Sequence, residues 1–143
     1  MHTDHASAVV GNQPKSGKKY FSLDDASRAL PYVRRVADDI ASRYQRAVHV
    51  RRSIEQAEVA APLDELRNEY EKLMDQLNDL IDELALVGVE LKDFERGLID
   101  FPALHEGREV YLCWQRGEKT ICAWHELDSG FSGRQDVASL VEA

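Results

Sequence analysis

A chain of 143 residues, 43% hydrophobic and 31% charged, is long enough for one domain with its own core and has the composition of an ordinary globular protein. No apolar run approaches the roughly 18 residues of a membrane helix, the opening residues carry no secretory pattern, and Cys113 and Cys122, separated by eight residues, make neither a disulfide framework nor a zinc signature; a cytoplasmic protein is expected. The net charge of −8 disfavours nucleic acid as a general partner, because binding it means neutralising phosphates with Lys and Arg.

The charge is unevenly spread. Residues 1–21 carry +2 and 22–61 carry +1, whereas 62–88 carry −6 and 89–143 carry −5. An arginine-rich segment followed by an acidic one points to partners within the chain.

Residues 1–19 are polar and read as a disordered arm, and 20–143 as one domain. Structure is expected to begin at "YFSLDDASRAL". Ser22 caps a helix, Asp25 completes a box-like pattern, and Phe21 is placed to staple onto Ala26. Pro31 disfavours helical geometry at Leu30, so the expectation is a short helix over 23–29, a kink, and a long helix restarting at Pro31.

Leu23, Ala26, Leu30, Val33, Ala37, Ile40, Tyr44, Ala47 and Ile54 then recur at alternating steps of three and four, with Arg51 the one polar intruder. Beyond "AAP", the series Leu63, Leu66, Tyr70, Leu73, Leu77, Leu80, Leu84 and Val87 repeats the spacing. Two such patterns joined by a short link predict an antiparallel coiled-coil hairpin over 20–88, with arms 31–59 and 62–88 of about 40 Å each. Arg34, Arg35, Arg43, Arg46, Arg51 and Arg52 are available to the acids of the second arm, selecting register more than stability. Gly88 is placed to end the second helix. Tyr32, Val36 and Val50 lie off the seam as a second apolar stripe, for the sheet or another subunit.

From Gly88 onward the period changes. "GVELKD", "GLIDF", "REVYLCWQ" and "KTICAWHE" are short β-rich runs, and "QRGEK" reads as the turn between the last two. A two-residue loop sets Leu112 against Ile121 and Val110 against Ala123. A three-residue loop gathers Val110, Leu112, Trp114, Cys122 and Trp124 on one face. The sequence accommodates both. The fold class expected is α+β: a long helical hairpin with a small C-terminal antiparallel sheet over 89–135, packed at the hairpin's open end near Leu23 and Leu30, and a tail over 136–143.

The pattern "YF-L-EA---LP", a charged helical pair, then "GL-DFPA", "G-EVYLCW", "GE" and "WH-LD-GF-GRQ" falls here on Tyr20 to Pro31, Gly97 to Ala103, Gly107 to Trp114, Gly117-Glu118 and Trp124 to Gln135. With these motifs the chain, over about 20–135, resembles the bacterial and archaeal family called domain of unknown function 2203. The resemblance implies a fold and a common surface, not an activity.

Candidate chemistry gathers in the last third, although no catalytic residue is assigned. "HELD" lacks the second histidine of a zinc-protease helix. His125 and Asp128 with Asp93, Asp100 or His105 offer a mixed nitrogen–oxygen set suited to a divalent metal, the cofactor such a site would take, provided separate loops converge. Without convergence, His125 simply bonds a carboxylate or carbonyl. In "SGFSGRQ", Gly130, Gly133 and Arg134 are placed for an anion nest, against the plainer role of bending the chain around Phe131. Glu126 joins Asp100, His125, Asp128, Gly130, Gly133 and Arg134 in the candidate ligand-binding set. Asp93, Glu95 and Asp100 are spaced for a carboxylate pair or for a solvated turn. Trp114, Trp124 and Tyr111 suit stacking or sheet packing, and Cys113 and Cys122 read as buried structural thiols. The leading expectation is therefore an interaction or assembly module using the helical hairpin, through self-association or a protein partner. The alternative is a small-ligand or metal-binding protein, extending to hydrolysis, with its site around His125, Asp128 and Arg134.

Overall fold

The computed structural model describes residues 14–57 and 62–141. The link at 58–61 and most of the amino-terminal arm lie outside them. Two long helices, α1 (Leu23–Gln56) and α2 (Leu63–Val87), pack together as a hairpin. Five antiparallel strands follow: β1 (Glu90–Asp93), β2 (Leu98–His105), β3 (Arg108–Gln115), β4 (Ala123–Glu126) and β5 (Gln135–Asp136), paired in chain order. A short helix α3 (Ala138–Val141) ends the described chain. The fold class is α+β.

Helix α1 starts as the sequence dictates. The Ser22 hydroxyl accepts from the Asp25 amide at 3.0 Å and the Asp25 carboxylate accepts from the Ser22 amide, so two orphan donors are satisfied reciprocally. The kink expected at Pro31 is absent as a break: α1 is one helix of 34 residues. Pro31 and Ser27, whose carbonyl loses its partner, are both exposed, so that carbonyl is open to solvent while Ala26, Leu30 and Val33 keep the chain on the core. The arms are consequently unequal. At 1.5 Å per residue α1 is about 50 Å long and the 25 residues of α2 about 38 Å. Gly88 ends α2 in the left-handed region, its amide bonding the Leu84 and Ala85 carbonyls.

Along α1, Ala26, Leu30, Val33, Ala37, Ile40 and Ala47 are buried as the periodicity predicts, and Val36 and Val50 join them, leaving Tyr32 exposed. The expected ladder of arginines to the second arm reduces, among the described residues, to one crossing ion pair, Arg46 to Glu69. Arg43 and Arg51 pair within α1, with Asp39 and Glu55. The side chain of Arg34 reaches the Lys119 carbonyl instead.

Strand β2 runs further than "GLIDF", through Pro102 to His105, and turns on Glu106-Gly107 into β3. Proline is tolerated in mid-strand for a definite reason. The Pro102 carbonyl points away from β3 and accepts from the Phe21 amide at 2.7 Å, and in an antiparallel strand the nitrogen of the same residue points the same way. No ladder bond to β3 is lost, and β1 has already stopped at the Glu90–Asp100 pair.

The β3–β4 connection fits neither short-loop register. Seven residues, 116–122, separate the strands, and Leu112 pairs with Trp124 and Tyr111 with His125. Glu118 organises the connection: its carboxylate accepts from the Gln115 amide and its carbonyl accepts from the Trp114 indole. Cys122 therefore sits outside the sheet and exposed, not in a strand as its β-rich run suggested, while Cys113 is buried; both are free thiols. The segment read as a tail holds the end of β5 and α3, with Val137 and Leu140 packed on the core.

Cross-strand pairing sorts the sheet into two faces. Leu91, Ile99, Phe101, Ala103, Val110, Leu112, Trp114 and Trp124 fall on one, which meets the helices in a continuous core with Phe21, Val33, Ile40 and Leu84. The other face carries the polar residues.

Candidate functional site

The second face is polar, and its centre is nevertheless buried. Pairing sets Glu90 opposite Asp100, Asp100 opposite Cys113, and Tyr111 opposite His125, so these side chains all project to the side away from the helices. Asp100 and His125 are 3% exposed and Cys113 is 1% exposed. Charged groups this deep persist only when paired and hydrogen-bonded.

Asp100 lies on β2 and His125 on β4, two strand spacings apart or roughly 9.6 Å. Their side chains meet above β3, where the residue between them is the small Cys113. His125 Nε2 is 3.1 Å from each Asp100 oxygen and Nδ1 is 2.7 Å from the Glu126 carbonyl. Both nitrogens face acceptors, the arrangement of an imidazolium with two N–H donors. Burial disfavours that charge, but the Asp100 hydrogen bond, with Cys113 and the Glu126 carbonyl, outweighs it and takes the His125 pKa up to about 10.

Around this trio the face carries further polar pairs. The Tyr111 hydroxyl donates to the Glu90 carboxylate at 3.0 Å, and the Tyr111 ring lies 5.4 Å from the imidazole. Burial first, and then the Glu90 carboxylate, push the phenol well above its ordinary value. Burial works against the Glu90 charge too, but hydrogen bonds from Lys92 and Tyr111 hold its pKa below normal. Further along β3, Glu109 is buried against the Lys18 ammonium, and its second oxygen has no hydrogen-bond partner among the described residues.

A cavity of about 150 Å3 opens beside the trio, lined by Asp100, Cys113 and His125 together with Lys92, Tyr111, Leu98, Leu127, Gly130 and Phe131. One nitrogen, one sulfur and one oxygen donor, drawn from these three residues, all lie within 4.8 Å of one another. In a tetrahedral site with bonds of 2.0–2.3 Å the donors stand about 3.3–3.8 Å apart. The donors as they stand are thus at most about 1–1.5 Å further apart than in such a site.

Of the residues singled out from the sequence, Asp100 and His125 meet and Gly130 reaches the cavity wall. The others are placed elsewhere. The Asp93 carboxylate caps the Arg96 amide at the β1 bulge, Glu95 is exposed, and Asp128 is exposed in the turn after β4, so neither Asp93 nor Asp128 belongs to the donor group. Arg108 holds Glu126 by two bonds of 3.0 and 2.7 Å. The expected anion nest is occupied by its own turn: Gly133 donates to the Gly130 carbonyl, and one terminal nitrogen of Arg134 bonds Glu118 and the Cys113 carbonyl, its Nε having no partner among the described residues. Phe131 does not plug the core but lies between the Arg96 and Arg134 guanidiniums, 4.1 and 4.9 Å from its ring. His105 is on the apolar face against Trp124.

Cys113 is the donor that sequence reasoning set aside as structural. The signal for it was alternation along β3, where Glu109, Tyr111 and Cys113 interleave with Val110, Leu112 and Trp114, marking a second face with its own chemistry.

Comparison with curated proteins and with solved structures finds no match for this chain. A family model does match, over residues 19–137, spanning α1, α2 and all five strands. The chain belongs to the family described as uncharacterized conserved protein, the domain of unknown function 2203 that its motifs resemble.

Proposed function

We propose that the protein binds one borderline transition-metal dication, of the zinc class, through Asp100, Cys113 and His125, with a fourth position facing the adjoining cavity. One observation carries this reading: three chemically different donors, all buried, lie within 4.8 Å of one another beside a cavity. A thiolate with an imidazole selects zinc-like ions over magnesium or calcium, and three protein ligands with an open position are the pattern of a site that does chemistry. A cysteine nucleophile activated by histidine is the weaker alternative. Asp100 holds Nε2, so a base role needs that nitrogen released with nothing to replace Asp100, whereas an ion takes up Nε2 and the Asp100 carboxylate together.

The proton on His125 opposes the metal without preventing it. That proton must leave before Nε2 can bind an ion, so zinc affinity is expected to fall as the solution is acidified. The test is calorimetric titration of the chelator-stripped chain with zinc, followed by thermal unfolding. One ion per chain is expected, with a midpoint raised by roughly 10 °C at 100 times the dissociation constant. Both effects should disappear in Cys113→Ser and Asp100→Asn variants that still fold. No binding, or binding indifferent to both substitutions, would remove the reading.

A second reading, assembly through the helical hairpin, is favoured by a groove of about 430 Å3 between α1 and the β1–β2 turn. There Tyr44 stacks on Phe94 at 5.3 Å, with Phe94 37% exposed. Sedimentation of the wild type beside Phe94→Asp distinguishes a dimer or larger assembly, lost on substitution, from a monomer.

A further inference from the structure

Resting on the metal reading above, we infer that the cavity beside Asp100, Cys113 and His125 takes a small aliphatic monocarboxylate. One carboxylate oxygen completes the metal's coordination and the other accepts from the Lys92 ammonium, while the aliphatic part lies against Leu98, Leu127 and Phe131.

Three features of the cavity select this class. The first is size: about 150 Å3 is the volume that admits benzene in an engineered cavity, so the ligand has about six heavy atoms. The second is the wall, where polar groups that could fix an orientation stand among leucine and phenylalanine side chains. The third is charge. A dication with the Asp100 carboxylate and a Cys113 thiolate is neutral, so an added anion needs a counter-charge from the protein. Lys92 supplies it. Its Nζ lies 4.8 Å from the Tyr111 ring centroid and gives one bond to Glu90 at 2.9 Å, leaving two of three donors without a partner among the described residues. Tyr111 is already bound to Glu90 and adds shape, not a free donor. Arg96 does not line the cavity but lies over the Phe131 ring that does, makes no ion pair among the described residues and adds positive potential. A phosphate brings a second charge that this wall does not match, and an alcohol, though its oxygen can accept from Lys92, carries no charge to balance it.

The experiment uses the full chain loaded with cobalt(II), whose visible bands and thiolate-to-metal charge-transfer band report its ligands directly. Isobutyrate, inorganic phosphate and isobutanol are titrated in turn against the wild type and Lys92→Gln. Lys92 is partly exposed, so the variant is expected to fold, and its retained charge-transfer band checks the metal site. Isobutyrate is expected to shift the visible bands saturably while the other two do not. Lys92→Gln should weaken isobutyrate about tenfold or more, the worth of a lost charge-assisted hydrogen bond. A cobalt–thiolate band that isobutyrate leaves unchanged overturns the inference and spares the metal reading, as does an equal response to isobutanol or an affinity indifferent to Lys92→Gln. Tighter binding of phosphate overturns the ligand class. If no cobalt–thiolate band forms, both fall together.

Discussion

Asp100 lies in the middle of "GLIDFPA", flanked by residues that are all buried, and its charge is held there by His125. Removing one member of a buried pair strands the other without water or partner. Asp100→Asn preserves the shape and removes the charge. In metal-free protein it is expected to lower the unfolding free energy by about 3 kcal/mol or more, measured by urea titration. The partly exposed Lys18 and the buried Glu109 form a second pair, with a different expectation. Lys18→Ala should destabilise, because the carboxylate left behind is 1% exposed, and adding Glu109→Leu should recover much of the loss. A double-mutant cycle on urea midpoints checks it; strictly additive effects would deny the coupling.

At the level of elements, α1 absorbs a proline that the sequence seemed to place at a break. Since Pro31 and Ser27 are exposed, Pro31→Ala restores a helix bond without disturbing the core. The expected gain is about 1–2 kcal/mol, the helix-interior cost of proline less the freedom returned to the unfolded chain, and thermal unfolding measures it. The pair Arg46–Glu69 across the hairpin sets a pH dependence. The Arg46 hydrogen bond holds the Glu69 carboxyl below its usual range. A depressed carboxyl contributes stability that is present above its unfolded pKa and is lost as pH falls through its folded one. The stability difference between wild type and Glu69→Gln should therefore be constant near neutrality and shrink as the solution is acidified below the ordinary glutamate range. A difference that persisted at the acid end would assign the effect to packing.

For the whole molecule, one core runs from Val33 and Ile40 on α1 through Leu84 on α2 to Phe101, Leu112 and Trp114 in the sheet. The hairpin and the cap are accordingly expected to unfold together. Far-ultraviolet dichroism, dominated by the helices, and fluorescence of Trp114 and Trp124, both in the cap, should trace superimposable urea curves. Two separated transitions would divide the chain into independent units. Much of this architecture was legible in the sequence, because helix periodicity, the Ser22 cap, Gly88 and the β-rich runs are local signals. Register was not. The span from β3 to β4 is set by Glu118 bonding back to Gln115 and Trp114, and no short-loop rule anticipates it. The same gap hid the site: Asp100 and His125 were visible as candidates, but Cys113 becomes their neighbour only once it pairs with Asp100. Asp93 and Asp128, close to them in sequence, point into turns of their own.

The meander order of the sheet has a consequence for synthesis. Each strand pairs with its predecessor, so the sheet can grow as the chain leaves the ribosome, and Asp100 and Cys113 come together on the β2–β3 hairpin first. His125 arrives on the next strand, after a seven-residue connection. A nascent chain ending before β4 holds only a carboxylate and a thiol, too few donors to retain an ion. Capture of a metal would thus be deferred until the sheet is nearly built, and loading would report that the cap has folded in register.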